Sequence, residues 1–165
     1  MTHTYYQLSY RLDGMHAYLI WFSNDQDGIS IEPDGTVPSF PDHAGLLTYA
    51  SAHQLTIDPT PSVLHDLDAI ISWLRRPLLA DIDCDSVLNI WNLFGDLATS
   101  VGQSFNSDRK RSRRIYEKLF WGNNLPAVTP PGKHYTPIWS DEERLILQEI
   151  LSEGLMLFRR QVKFR

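Results

Sequence analysis

Three aspartates, Asp81, Asp83 and Asp85, alternate along one short stretch, and carboxylates spaced so closely could hold a metal ion. A calcium loop that opens in this way needs glycine at its sixth position and a bidentate glutamate at its twelfth. Those positions hold Ser86 and Asn92, so the calcium-loop pattern is not met. Carboxylates are also favoured at a helix N-terminus, where backbone N–H groups point outward. We therefore predict helix capping, and a small hydrolase or two-metal nuclease using these aspartates is the alternative.

Other reactive side chains do not form a recognisable catalytic pattern in the sequence. The six histidines show neither the H-x₃-H nor the H-E-x-x-H spacing of zinc ligands. Cys84 lies beside carboxylates, which raise the pKa of a thiol and favour a structural cysteine over a nucleophile. The sequence also lacks the nucleophile-elbow, phosphate-loop and dinucleotide motifs. We expect a protein that is not an enzyme and that uses no metal and no cofactor.

A basic run from Arg109 to Arg114 is the one segment that could contact phosphates. The whole chain carries a net charge of −5 and has a pI near 5.6, which opposes binding to a polyanion. We expect a solvated helix start here, and a nucleic-acid-binding module using Arg109 to Arg114 is a further alternative.

Charge is distributed unevenly along the chain. Residues 1–100 contain 13 acidic and 3 basic side chains, whereas residues 101–165 contain 7 acidic and 12 basic ones. The first part therefore carries −10 and the second +5. A cluster of one sign steers association with a partner of the opposite sign, so the first part could present an acidic surface to a basic partner.

The first quarter of the chain has the pattern of antiparallel strands. Residues 4–12 alternate between apolar and polar, and Asp13-Gly14 is a hairpin-turn dipeptide. Residues 15–22 are apolar on both faces, which predicts a more central strand. Short extended pieces at residues 29–32 and 36–40 complete a predicted meander of three to four strands.

Helical periods follow from residue 42 onward. The predicted helices begin at Asp42, at Thr60-Pro61, near Asp85, at Ser107 and at Ser140, the last with a capping box. A short strand is expected at residues 55–57, Gly102 is a predicted C-cap, and Gly154 is a weak point of the last helix. The helix after Asp85 carries the strongest apolar face and should be the central packing element. The order of strands and then helices predicts an α+β fold in one domain, residues 1–165, with 1–40 mainly strand and 42–165 mainly about four to five helices.

The five tryptophans fall mostly at apolar positions and are expected in the core, with Trp73 and Trp139 partly exposed as interface anchors. The single cysteine cannot form an internal disulfide, and the sequence has no long apolar span or secretory signal pattern. We therefore expect a cytoplasmic protein that does not cross a membrane.

Several segments together resemble immunity proteins of bacterial toxin systems, of the contact-dependent growth inhibition and related polymorphic-toxin type. The similar segments are Phe22-Ser23 through Gly28-Ile29-Ser30-Ile31, Leu67-Asp68-Ala69-Ile70 with Trp73-Leu74, Asp83-Cys84, Leu88 through Asp96, and Ile115 through Phe120. The resemblance lies in packing residues and spans most of the chain. It implies a protein that binds and neutralises a cognate toxin, the C-terminal domain of a large secreted protein, in the cytoplasm of the producing lineage.

Such a toxin is often a nuclease, and a nuclease presents a basic cleft to its nucleic acid. An acidic surface on the immunity protein would then match it in charge. The candidate toxin-binding residues are Asp25, Asp27, Glu32, Asp34, Asp66, Asp68, Asp81, Asp83 and Asp85.

Overall fold

The computed structural model describes residues 3–165, which form seven strands and five α-helices. The strands are β1 (Thr4–Leu12), β2 (Met15–Ser23), β3 (Gly28–Ile29), β4 (Val37–Ser39), β5 (Ile57–Asp58), β6 (Leu64–Asp66) and β7 (Val162–Phe164). The helices are α1 (His43–Ala52), α2 (Leu67–Arg75), α3 (Cys84–Val101), α4 (Arg109–Gly122) and α5 (Asp141–Gln161). The predicted α+β class is confirmed.

The first two strands form the predicted hairpin. β1 and β2 pair antiparallel from Thr4↔Ser23 to Leu12↔Met15. Asp13 and Gly14 form the turn with φ values of 53° and 75°, the left-handed conformation that a two-residue hairpin turn of this kind requires. β3 continues the meander by pairing antiparallel with β2. The sheet order is β3-β2-β1-β5.

The outer edge of β1 is covered by two short parallel strands, first β5 and then β6. The predicted helix start at Thr60-Pro61 is wrong, because residues 64–66 form β6 and α2 begins at Leu67 with Asp66 as its N-cap. Val63, just before β6, is 65% exposed. The unpaired backbone of β1 offers this segment hydrogen bonds that outweigh a local helix signal.

The predicted fourth strand leaves the meander. β4 pairs in parallel with β7 at the other end of the described chain, from Val37↔Val162 to Ser39↔Phe164. An isolated bridge joins Tyr18 of β2 to Phe40, the residue after β4. The sequence could not predict this pairing, because the partner strand lies more than a hundred residues away.

Helix α3 occupies the centre of the main core, as its apolar pattern predicted. Its buried side chains pack with those of the sheet and of α2, α4 and α5. On the opposite face of the sheet, Ile20 packs with Phe40 and with Leu46 of α1 in a smaller cluster. β2 is therefore buried on both faces, as predicted.

Most helix ends are where local signals place them. Asp42 and Ser140 cap α1 and α5, and the Ser140 capping box is complete. Gly102 ends α3 with φ 68°. Asp108, one residue after the predicted Ser107, caps α4. Across residues 3–165, no helix has the length and apolar character needed to span a bilayer.

A groove over helix α3

A stripe of polar residues interrupts the burial of α3. The stripe lies at steps of four, three, four and three along one side of the helix, which places its members on one face. Its members are Asp85, Asn89, Asn92, Asp96 and Thr99. Three of these side chains are exposed and two half-buried, although α3 buries eight apolar residues on its other sides. The most central helix of the fold thus keeps one polar face open.

Two connected depressions lie above the last four residues of this stripe, with volumes of about 640 and 660 Å³. They share Asp27, Asn92, Asp96 and Tyr116 and together form what we name the α3 groove. The sheet-side half is bounded by Tyr6, Trp21, His65 and residues 60–63. The α4-side half is bounded by Gly95, Phe105, Arg109, Arg113 and Glu117.

Asp96 is the half-buried carboxylate at the centre of the α3 groove. The Trp21 indole donates a hydrogen bond from Nε1 to Asp96 Oδ2 at 3.0 Å. Among residues 3–165 no protein group donates to Asp96 Oδ1. Burial raises the pKa of Asp96 above its usual range, and the nearby Asp27 carboxylate adds to this while the Trp21 bond opposes it. A cation placed here would favour the ionised carboxylate, and so would offset both the burial and the repulsion from Asp27.

The loop that carries Asp27 is tied to the turn of α3 that carries Asp96. The Ser100 hydroxyl accepts the Ile29 N–H at 2.8 Å and donates to the Asp96 carbonyl oxygen at 2.8 Å. Ser23 Oγ donates to Asp27 Oδ1 at 2.8 Å, which fixes that carboxylate. The Asp27 and Asp96 carboxylates, which both halves of the groove share, are therefore positioned by the fold itself.

Aromatic rings line the sheet-side half. Tyr6 and Trp21 lie opposite each other on β1 and β2, with ring centroids 5.4 Å apart. Tyr116 reaches in from α4 and donates from its hydroxyl to Asn92 Oδ1 at 2.9 Å. His65 contacts the Ser9 carbonyl oxygen through Nδ1 at 3.1 Å, and burial lowers its pKa. The described lining of this half contains two carboxylates and neither lysine nor arginine.

Gly95 lies in the α4-side half, in the interior of α3. A Cβ atom built at this position would meet nothing within 4 Å. Glycine inside a helix costs roughly 1 kcal/mol relative to alanine, and here no neighbouring side chain of the fold requires it. Its effect is to keep the floor of the groove low.

The structure separates the nine predicted toxin-binding acids. Asp25 and Asp27 lie in the exposed β2–β3 loop, and only Asp27 lines the α3 groove. Asp66 lies at the other end of the sheet, since it pairs with Arg11 whereas Ser23 pairs with Thr4. Seven residues of β1 separate those positions, or about 23 Å at roughly 3.3 Å per residue.

Glu32, Asp34, Asp66 and Asp68 each have structural partners in the fold. Glu32 pairs with Arg165 at 3.0 Å, and Asp34 accepts hydrogen bonds from Thr36. Asp66 caps α2 and pairs with Arg11 at 3.2 Å. Asp68 accepts the N–H groups of the hairpin turn, from Asp13 at 2.7 Å and from Gly14 at 2.8 Å.

Asp81, Asp83 and Asp85 lie just before and at the start of α3, and none of them lines the α3 groove. Asp83 is the N-cap of α3, as predicted, and Asp85 lies in the first turn. Burial and then the Asp83 carboxylate raise the pKa of the Cys84 thiol. Within residues 3–165 no three His, Cys, Asp or Glu side chains are grouped so that they could hold a metal ion. The hydrolase hypothesis for these aspartates stays a prediction.

The basic run occupies the first two turns of α4. Arg111 pairs with Glu149 at 2.6 Å and Arg113 with Glu117 at 3.2 Å, while Ser112 is buried between them. Arg109 and Arg113 line the α4-side half of the groove. The run is thus partly neutralised, and the nucleic-acid hypothesis stays a prediction.

The tryptophan expectations were right only in part. Trp73 is buried rather than exposed, and its Nε1 donates to the Leu78 carbonyl oxygen at 3.0 Å. Trp139 is half-buried, with Lys118 Nζ 5.6 Å from its ring centroid. Trp121, expected in the core, is 48% exposed.

Asp96 was absent from the predicted acids, because it falls inside the apolar run of α3 and not in a cluster. The signal that could have found it is the spacing of polar residues along that helix.

The protein is thus an α+β protein in which an open groove lies over polar residues of the central helix α3. No family model matches this chain, and no curated protein matches it. The chain is similar to the C-terminal domain of SatS, whose crystal structure was solved in complex with bromine, with a TM-score of 0.59 and 10% identity. The match covers 98% of this chain and 94% of that chain. At this identity the likeness shows the fold alone.

Proposed function

We propose that this protein binds and neutralises a cognate protein toxin, as immunity proteins of contact-dependent growth inhibition and polymorphic-toxin systems do. The toxin would be the C-terminal domain of a large secreted protein, of nuclease type, and the two would meet in the cytoplasm. The resemblance of segments 22–31, 67–70, 73–74, 83–84, 88–96 and 115–120 to such immunity proteins supports this proposal.

One structural observation supports binding most strongly: the open polar face of α3. A helix that forms the centre of a core normally buries every side, and a polar face with a glycine lowers its stability. Asn89, Asn92 and Gly95 make structural sense when a partner chain fills the groove above them. The Asp25–Asp27 loop beside the groove adds negative charge that speeds encounter with a basic toxin.

The test uses the toxin domain, which we expect at the C-terminus of a large protein encoded next to this one. Its expression alone should arrest growth of a host cell, and co-expression of this protein should restore growth. The two should also co-purify as a stable complex that survives micromolar dilution. Growth arrest that co-expression does not relieve, together with no co-purification, would contradict the proposal.

A further inference from the structure

We propose that the sheet-side half of the α3 groove binds one arginine or lysine side chain of the partner polypeptide. This inference rests on the proposed function, because it names the chemistry by which the toxin would be recognised. The site is the depression between Tyr6 and Trp21 on one side and Tyr116 on the other, with Asp27 and Asp96 at its edge and floor.

The charge of the depression matches a cation. Asp27 and Asp96 contribute two carboxylates, and the described lining of this half contains no lysine or arginine to neutralise them. His65, the other titratable cation there, is held toward its neutral form because burial lowers its pKa. Asp96 Oδ2 accepts the Trp21 N–H, so Oδ1 remains to accept a hydrogen bond from a guanidinium or ammonium group.

The walls match the rest of a basic side chain. Tyr6, Trp21 and Tyr116 are each half-buried, so part of each aromatic surface faces the depression. A cation near an aromatic ring is stabilised by the ring quadrupole, and the aliphatic part of arginine or lysine packs against the same surface. A neutral polar side chain would gain neither the ring attraction nor the ion pair.

The site is fixed before a ligand arrives. The Trp21–Asp96 bond, the Ser23–Asp27 bond and the Ser100 link between loop and helix position both carboxylates. Groups that need no ordering lose less entropy on binding, so more of the contact energy appears as affinity. Across Asp96, the space above Gly95 leaves room for the backbone of the segment that carries the basic residue.

The site can be probed with short peptides and the full chain. Acetyl-Gly-Arg-Gly-amide and acetyl-Gly-Lys-Gly-amide are titrated against ¹⁵N-labelled protein, with the citrulline peptide as the neutral isostere of the arginine one. We expect at least one basic peptide to shift the Trp21 indole N–H resonance with saturation in the millimolar range, and the citrulline peptide to leave it in place. Equal responses to arginine and citrulline, or a Trp21 resonance that none of the peptides moves, would overturn the inference.

Matched variants separate this site from general attraction to an acidic protein. Asp27→Asn and Asp25→Asn remove the same charge from one loop, but only Asp27 lines the depression. We expect Asp27→Asn and Asp96→Asn each to lower the affinity for the basic peptide by about fivefold or more. The affinity of Asp25→Asn should stay within about twofold of the wild type. Equal losses of affinity in Asp25→Asn and Asp27→Asn would show that the peptide is held by long-range attraction to the acidic loop, and would overturn the inference.

The outcome is distinguishable from that of the proposed function. If the toxin domain is neutralised while the basic peptides do not bind, the proposed function stands and this site is wrong. If the basic peptides bind as expected and the toxin domain is not neutralised, the site stands with a different polypeptide partner.

Discussion

At the scale of single residues, Asp96 is the side chain in which stability and binding conflict most clearly. Its carboxylate is half-buried beside Asp27, and burial raises its pKa. The folded protein therefore binds this proton more tightly than the unfolded chain does. The charged Asp96 therefore lowers the free energy of unfolding. This destabilisation is absent below the ordinary Asp pKa of about 3.9 and fully present above the raised pKa.

Asp96→Asn should therefore be more stable than the wild type at pH 7, because asparagine keeps an acceptor for the Trp21 N–H and carries no charge. We expect a gain below about 1 kcal/mol, since solvent screens a half-buried carboxylate. Urea denaturation from pH 3 to pH 8 measures the difference in free energy of unfolding between the variant and the wild type. This difference should shrink as the pH falls toward about 3.9. A difference that does not change with pH would show that the Asp96 charge does not destabilise the fold.

Asp68 shows how a predicted interaction acid can be structural. Its two carboxylate oxygens accept the N–H groups of Asp13 and Gly14, which fastens the hairpin turn to the start of α2. Asp68→Ala should lower the free energy of unfolding by about 1–2 kcal/mol, since two turn N–H groups lose charged acceptors. Asp25→Ala is the control, because Asp25 is exposed in a loop and should change stability by less than about 0.5 kcal/mol. Similar losses in both variants, measured by urea denaturation, would count against the assigned role.

At the scale of elements, the sequence predicted what neighbouring residues decide. Asp13-Gly14 gave the hairpin, while Asp42, Ser140 and Gly102 gave helix ends, because each signal acts within a few residues. The sequence did not predict β6 or the pairing of β4 with β7. These strands form by hydrogen bonding to strands that are distant in the sequence, β6 to β1 and β4 to β7. The groove likewise depends on how α4 and the sheet flank α3, which no local pattern contains.

Gly154 has a packing role that its helix propensity does not reveal. Propensity predicts a weak point of α5 here, yet a Cβ atom at this position would overlap the ring of Phe94 on α3. The glycine allows α3 and α5 to approach closely in the core, where both residues are buried.

Gly154→Ala and Gly95→Ala should therefore have opposite effects. Each gains about 1 kcal/mol of helix propensity, but overpacking against Phe94 costs about 1–3 kcal/mol. We expect Gly154→Ala to be less stable by up to about 2 kcal/mol and Gly95→Ala to be more stable by about 0.5–1 kcal/mol. Thermal and urea denaturation of both proteins measure this, and stabilisation by Gly154→Ala would show that the two helices are not in contact as described.

At the scale of the whole molecule, the −10 charge of residues 1–100 does not form one acidic face. The predicted acids are distributed over the β2–β3 loop, the β3–β4 turn, the hairpin end of the sheet and the start of α3, and several have partners there. Sequence composition could reveal the charge but not its placement. The fold instead forms a smaller site, the α3 groove, which Asp27 lines together with Asp96, an acid outside the predicted set.

We propose that a toxin domain occupies the α3 groove when it binds this protein. Gly95→Gln tests it most directly, because glutamine favours a helix and fills space that the fold leaves empty. Isothermal titration of the cognate toxin domain into the wild type and into Gly95→Gln, at equal or greater stability of the variant, should show affinity lower by at least about tenfold, or 1.4 kcal/mol. Unchanged affinity in the variant would contradict the account.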